Sequence, residues 1–548
     1  MKSRLLLILL FFCIFVLTRG QAKNTAENVV ISSKKGKTTV KSDSDGTLLI
    51  NITPEDLLRF KALGKVSYSD FGARGDGKTD DIDAIAAAHA VANRENLPVK
   101  ADPGTNYYIS GKDRTAVICT DTDFGTSSFI IDDSNVQNRN QSIFIVNSEL
   151  KSFRPAGLSS LKRNQNKIDL DLPGKCIITV TDSNVKRYIR FGPNQNNGSA
   201  QTDIFIADKD GKIDINTPVI WDFDQITDIS ALPVDGTILT ITGGRFTTIA
   251  NNAESKYNYY SRGIAIRRSN VIVTGLEHRV TGEGDHGAPY GGFISIGDCA
   301  NVTVRNTILT GHKTYSTIGS AGVPVSMGSY DININRAMNV SFVNCSQTND
   351  INDTGYWGIL GSNYCKNLLY DNCTFSRFDA HMGVANATIR NSTLGHQGIN
   401  AIGSGTFTVE NTTVYGRNLI NLRSDYGSTW QGEFIIRNCV FIPANGKINT
   451  ISIIGGSYSG MHDFGYICYM PGKITIENLR IDDSKNPPDY KGPFIFADFN
   501  PEMKSESYVE KYPYIKTREV VLKNIRSTSG RKLTMSNNAY MFRGVKTD

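Results

Sequence analysis

The sequence holds a single long apolar run, from Leu5 to Leu17. It is too short to cross a bilayer comfortably, and Lys2 and Arg4 before it and Thr-Arg-Gly after it are the flanks of a secretory signal. Residues 1–20 are therefore expected to be a cleaved leader. Cys13 has no small-residue lipobox before it, which argues against a lipid anchor, and the lack of any later apolar run argues against membrane insertion. The expected location is secreted, periplasmic or cell-surface. Strong charge is also missing. Of the formal +6, Lys2, Arg4 and Arg19 belong to the leader, and the remainder is too weak to imply nucleic acid or a membrane as partner.

Helical periodicity is absent from the most conspicuous part of the chain, a repeat in which two or three alternating apolar residues lead into an Asn: NVSFVNCS, NLLYDNCTF, NATIRNSTL, TFTVENTTV, EFIIRNCVF. These Asn are residues 344, 372, 391, 411 and 438, and the series extends back to Asn306 and on to Asn478 and Asn524. A fixed core with loops of varying length is a solenoid signature, and period-two alternation makes each unit a coil of short strands. The expected fold is all-β: a right-handed parallel β-helix with an N-terminal capping helix and an inserted β-rich subdomain. One Asn per coil can occupy the left-handed backbone region and hydrogen-bond its stacked neighbours. The following residue then points inward: Thr307, Cys345, Cys373, Ser392, Thr412 and Cys439. In an oxidising compartment cysteines would pair by default; this column makes buried thiols the better reading.

Residues 21–65 form a polar extension with one helix expected from Thr53, Pro54 at its first position. Residues 72–79, GARGDGKT, match a phosphate-binding loop between a strand and a helix, but Asp80 and Asp81 put negative charge at the helix start, where a phosphate should bind. The stretch YSDFGARGDGKTDDIDAIAAAHAVA, followed by LPVKADPGTNYYIS, instead resembles the opening of pectate-lyase-like β-helix proteins. That resemblance implies that residues 66–112 form the cap and first coil, and that the protein has a carbohydrate-related role. From 113 to 235 the Asn repeat is missing and Asp-Gly and Gly-Lys turns suggest hairpins, so this region is expected to be the inserted subdomain. Residues 236–548 are expected to carry the β-helix and its groove.

Opposite the Asn ladder a third strand recurs: GGFISIGD, PVSMGS, YWGILGS, FDAHMGV, INAIGS, INLRSD. Aligning these on their Gly residues makes Met382 and Ile402 inward neighbours and places Ser295, Trp357, Asp379 and His381 outward. Nearby turns add His286, His312, Lys313, Tyr315, Asp350, Asp353, Tyr356, Arg377, His396 and Arg417, with Arg423 on its strand, so four of the seven His gather on one flank. His396 in GHQG also suits a tight turn, Arg423 also suits a pair with Asp425, and Trp357 suits either a packed rung or a sugar platform. Asp350 with Asp353 suits loop caps, a Ca²⁺ site or catalytic carboxylates.

Two chemistries and one non-enzyme role fit this set. A polysaccharide lyase acting on an acidic, uronate-containing polysaccharide needs a base (His381 or His312), an acid (Tyr315 or Tyr356) and positive charge on the uronate carboxylate (Arg377, Arg417). Lys313, His396, Arg423, His286 and Trp357 would then bind substrate. A glycoside hydrolase needs two carboxylates, and Asp350, Asp353 and Asp379 are available. TNDIND resembles the acidic motif of polygalacturonase-type hydrolases, but GHQG stands where Gly-His-Gly belongs and no Arg-Ile-Lys follows. The third role is a glycan-binding module without chemistry.

Overall fold

In the computed structural model, residues 28–443 and 450–547 are described; the leader read at 1–20 lies outside them. Among the described residues no helix is long and apolar enough to cross a membrane. A parallel sheet of 27 short strands winds back on itself in successive coils. Each coil stacks on the next in register, so that Val271, Val302, Val340, Leu368, Ala387, Phe407, Phe434, Ile474 and Val520 form one buried apolar column. Burying such columns is what holds a solenoid together, because each coil contacts only its neighbours.

The Asn ladder is present. Asn306, Asn344, Asn372, Asn391, Asn411, Asn438, Asn478 and Asn524 all have φ between 48° and 56°. Along it Nδ2 donates to the preceding Oδ1, as from Asn372 to Asn344 at 2.8 Å and from Asn524 to Asn478 at 2.9 Å. One rung breaks the pattern, where Asn391 donates to Asp371 instead, at 2.9 Å. Thr307, Cys345, Cys373, Ser392, Thr412 and Cys439 all point into the core, and the eight described cysteines are unpaired. A second ladder runs beside the first. Asn301, Asn339, Asn367 and Asn386 each donate to the preceding member, beginning with Asn270, over 2.8–3.3 Å, again at positive φ.

The insertion is shorter than the sequence suggests. Ala116–Ile118, Thr122–Asp132 and Phe144–Asn147 pair in parallel with neighbouring coils, so 113–147 continues the β-helix. The Asn signal fails there because Gly125, Gly243 and Gly275 take the left-handed turns, with φ of 52°, 69° and 71°. The antiparallel subdomain proper is Cys176–Arg187, Ser199–Ala207 and Asp228–Pro233 around a core of Ile178, Val180, Phe205 and Phe223. It docks on the β-helix through a buried Lys366–Asp203 ion pair of 2.8 Å and through Asn367, whose amide donates to the Asn216 carbonyl at 2.8 Å.

The amino end is closed by a helix. Besides a three-stranded sheet, the extension holds α1 (Pro54–Leu63), capped by the Thr53 hydroxyl. α2 (Ile82–Glu95) buries Ile85, Ala88, Val91 and Ala92 over the open end of the first coils, which shields the strand edges there. Its preceding loop directs its amides to its own carboxylates: Arg74 and Gly75 donate to Asp81 at 2.6 and 3.0 Å, and Lys78 and Thr79 to Asp76 at 2.9 and 2.7 Å. A phosphate would need those donors.

Candidate functional site

One strand, Thr374–Arg390, carries the centre of the site. Arg377, Asp379 and His381 alternate with core residues Phe378 and Ala380, so they share the outward side. Ser362 pairs with Ala380 and Asn363 with Met382, which leaves His381 as the extra residue of a β-bulge. A bulge re-aims a side chain and reverses the alternation beyond it. That corrects the alignment made from sequence: Met382 and Ile402 lie outside the coil, packed with Tyr188 and Tyr426.

Around this strand the charges interlock. Arg377 Nη2 lies 2.7 Å from Asp379 Oδ2, and Arg423 Nη1 reaches Asp379 Oδ1 at 3.4 Å. Arg423 turns its other edge to Asp425, at 2.7 and 3.1 Å, because the strand ends at Leu422 and a 3₁₀ turn begins. Burial alone would raise the Asp379 carboxyl, but Arg377 and Arg423 outweigh it and hold it below the ordinary range. Arg377 leans on Gly358, where a Cβ would lie 2.3 Å from its Cδ, and its guanidinium sits 5.1 Å over the Trp357 ring. Its Nε and Nη1 are buried without a hydrogen-bond partner. An unpartnered buried guanidinium is costly unless something else completes it.

His381 is fixed by Asn363, whose Oδ1 takes the Nδ1 proton at 2.8 Å, so Nε2 carries the lone pair. Burial first, and then Arg423, pushes the imidazole down to about 3, so the ring is neutral at neutral pH. Tyr426 packs edge-on against it at 5.5 Å. In register with Arg377 and Asp379 on the next coils stand Gly398, Asn400 and Asn421. These line a polar cleft of about 570 Å³ together with His396, Arg417, Ser424 and Asp498. His396 therefore sits one coil from the charged strand and Arg417 two. His396 lies within the strand Thr393–Ala401, its Nδ1 3.1 Å from the Ile351 carbonyl of a neighbouring loop, and burial lowers its pKa.

The other candidates form a separate group. His312 is buried between Glu283 at 3.3 Å and Asp331 at 3.2 Å, and stacks on Tyr290. Burial opposes its charge, but the two carboxylates raise it to about 9. Asp331 also holds His278, at 2.7 Å. With both nitrogens engaged and the ring protonated, His312 has no lone pair for a substrate proton, which corrects its reading as the base. Lys313 and Tyr315 both bond the Gly284 carbonyl, at 3.2 and 3.4 Å, and Tyr356 pairs with Lys313 through the backbone. His286 is exposed on the same loop. Asp350 and Asp353 each accept an amide from two residues on, at 2.9 and 2.8 Å, as loop caps do. Among the described residues no group of three His, Cys, Asp or Glu is placed to hold a metal.

Four residues of the site escaped sequence reasoning. Asn363 and Tyr426 orient His381, and Tyr330 lies over Gly361 within the field of Asp379, Arg377 and Arg423. Arg190, from the subdomain, bonds Asp425 at 2.8 and 2.9 Å.

Fold and site together define a parallel β-helix protein with a charged outward face. No family model matches the chain. A segment of 129 residues is 30% identical to the capsule KL64-specific depolymerase of Klebsiella phage P510, covering 21% of this chain and only 12% of that protein. Among solved structures, the tailspike gp61 of Pseudomonas phage phi297 aligns over 88% of this chain and 84% of its own, with TM-score 0.53 and 13% identity. The gp54 tailspike of Acinetobacter baumannii bacteriophage AP22, solved with an A. baumannii capsular saccharide, aligns over 92% and 81%, with TM-score 0.52 and 10% identity. At such identities these structures speak for the fold.

Proposed function

We propose that this protein is a secreted polysaccharide lyase that cleaves an acidic, uronate-containing polysaccharide by β-elimination. The observation that carries the reading is Arg377, a buried guanidinium with two unpartnered nitrogens, on the same strand as a neutral imidazole and one coil from an open polar cleft. The positive charge of Arg377 and Arg423 stabilises a uronate carboxylate bound against this face as it acquires enolate character when the neighbouring C–H is broken. The proton passes to His381 Nε2, the electron pair forms the ring double bond, and the 4-linked oxygen leaves with a proton from Tyr330, the tyrosine of the same wall. A bound carboxylate also offsets the field of Arg423 and so makes the imidazole a better base at the moment it is needed.

Asp379 is engaged by two arginines and Asp350 and Asp353 cap their loop, which favours elimination over a hydrolase built on these carboxylates. A glycan as substrate accords with the partial likeness to a phage depolymerase named for its capsule target and with the saccharide-bound tailspike. The test is incubation with a panel of acidic polysaccharides. Ultraviolet absorbance of a new conjugated double bond is the expected result; new reducing ends without it would mean hydrolysis, and neither would mean a binding module.

A further inference from the structure

The subdomain reaches the site through a small hairpin, closed by backbone bonds between Arg190 and Asn196 at 3.2 and 3.3 Å. Its base is anchored on the β-helix, where Ile189 N donates to Phe464 O at 3.1 Å and Phe191 N to Asp425 O at 3.0 Å. Its tip is held by Ala321 N, which donates to Pro193 O at 3.1 Å, and by the Ser320 hydroxyl, which donates to Gln195 O at 2.6 Å. The hairpin is thus tied at both ends, and it delivers one cation, Arg190, to a carboxylate that Arg423 already engages. Arg190 lies 5.3 Å over the Tyr426 ring, on which Arg423 also sits, at 5.4 Å. The groups facing His381 are then Arg423, Arg190, Asp379 and Asp425, with Arg377 completing Asp379. Three guanidinium groups meet two carboxylates, so the cluster keeps one positive charge in excess.

We propose that Arg190 is a positioning residue of the His381 site: by sharing the Asp425 carboxylate with Arg423 it leaves Arg423 incompletely neutralised, so that the site keeps a net positive charge for an anionic sugar. The inference rests on the acidic-glycan reading above and gives the subdomain a part in recognition. Without Arg190, Asp425 would neutralise Arg423 alone, and both the imidazole and an incoming carboxylate would feel one charge fewer.

The test uses the full chain with ¹³C-labelled histidine, the His381 resonance being assigned by its loss in His381→Gln. Followed from pH 8 down to 3, the wild-type signal is expected to begin titrating only at the acid end, whereas in Arg190→Gln its onset should move up by about 0.7 pH unit, and Arg190→Lys should restore the wild-type onset. On a polysaccharide that the wild type cleaves, Arg190→Gln should raise KM by roughly five-fold, the worth of one screened charge at close range, with kcat less affected. The Lys366–Asp203 pair still anchors the subdomain, and Arg190→Met, whose stem can still pack on Tyr426, serves if the Gln variant does not fold. A His381 titration in Arg190→Gln and Arg190→Met identical to wild type overturns the proposal whatever the turnover. A titration that moves while His381→Ala stays active would sink the elimination chemistry and leave the link between Arg190 and the imidazole standing.

Discussion

His312 and His381 lie on the two sides of one wall and have opposite chemistry. Tyr330 and Asp331 are neighbours on the strand Tyr330–Val343, so they point in opposite directions; Asp331 holds His312 inside, while Tyr330 joins the charges around Asp379 outside. His312 sits between two carboxylates and is protonated to about 9, whereas His381 is half-buried beside Arg423 and Arg190 and is neutral down to about 3. The residue type is the same in both places. The sign of the nearest charges decides whether the imidazole is a structural cation or a base with a free lone pair.

The largest effect should come from emptying the inner site. Asp331→Ala leaves His278 and His312 without their shared carboxylate, and should cost about 3–5 kcal/mol in denaturant unfolding. A cost below about 1 kcal/mol would show that the inner network is incidental.

The two sites also make opposite predictions for pH. His312 is raised in the folded state, so its contribution is complete below the unfolded value of 6.5 and is lost as pH rises towards 9, by up to about 3 kcal/mol. His381, and His89 in the capping helix, are both lowered to about 3, so their contribution is complete above 6.5 and is lost as pH falls from there towards 3. Urea midpoints should therefore fall on both sides of neutrality, and His312→Gln should remove the alkaline decline only. An alkaline limb that survives in His312→Gln would contradict the assignment.

Smaller changes sharpen the contrast between frame and site. Asn372→Ala breaks a ladder bond and forces a left-handed φ of 53° on alanine, which should cost about 1–3 kcal/mol of stability with turnover unchanged. Gly358→Ala should do the reverse. Its new Cβ meets Arg377 from Cβ to Cδ, so turnover should fall about ten-fold or more, beyond what the roughly 1–3 kcal/mol of overpacking does to stability. Equal losses in both measurements would erase the distinction.

The first ladder was legible because Asn, a following small residue and alternating strands recur together. The second ladder was present in the same text: Asn301, Asn339, Asn367 and Asn386 each stand five residues before a first-ladder Asn, as in NVSFVN and NLLYDN. The coils at 113–147 were missed because Gly replaces Asn at the ladder turns and removes the polar marker. The outward flank was legible as a gathering of His and Arg, but its division was not, since the carboxylates that claim His312 come from two different coils. The bulge at His381 has no composition of its own, and Arg190 comes from a subdomain far away in sequence. Only the register of neighbouring strands and the docking of that subdomain reveal them.

The most direct measurement of the central claim is turnover of His381→Ala on an acidic polysaccharide that the wild type cleaves, with the urea midpoint measured on the same preparation. The account predicts a fall of about 10²–10⁴-fold at a nearly unchanged midpoint. Turnover within two-fold of wild type would remove His381 from the chemistry and contradict the account.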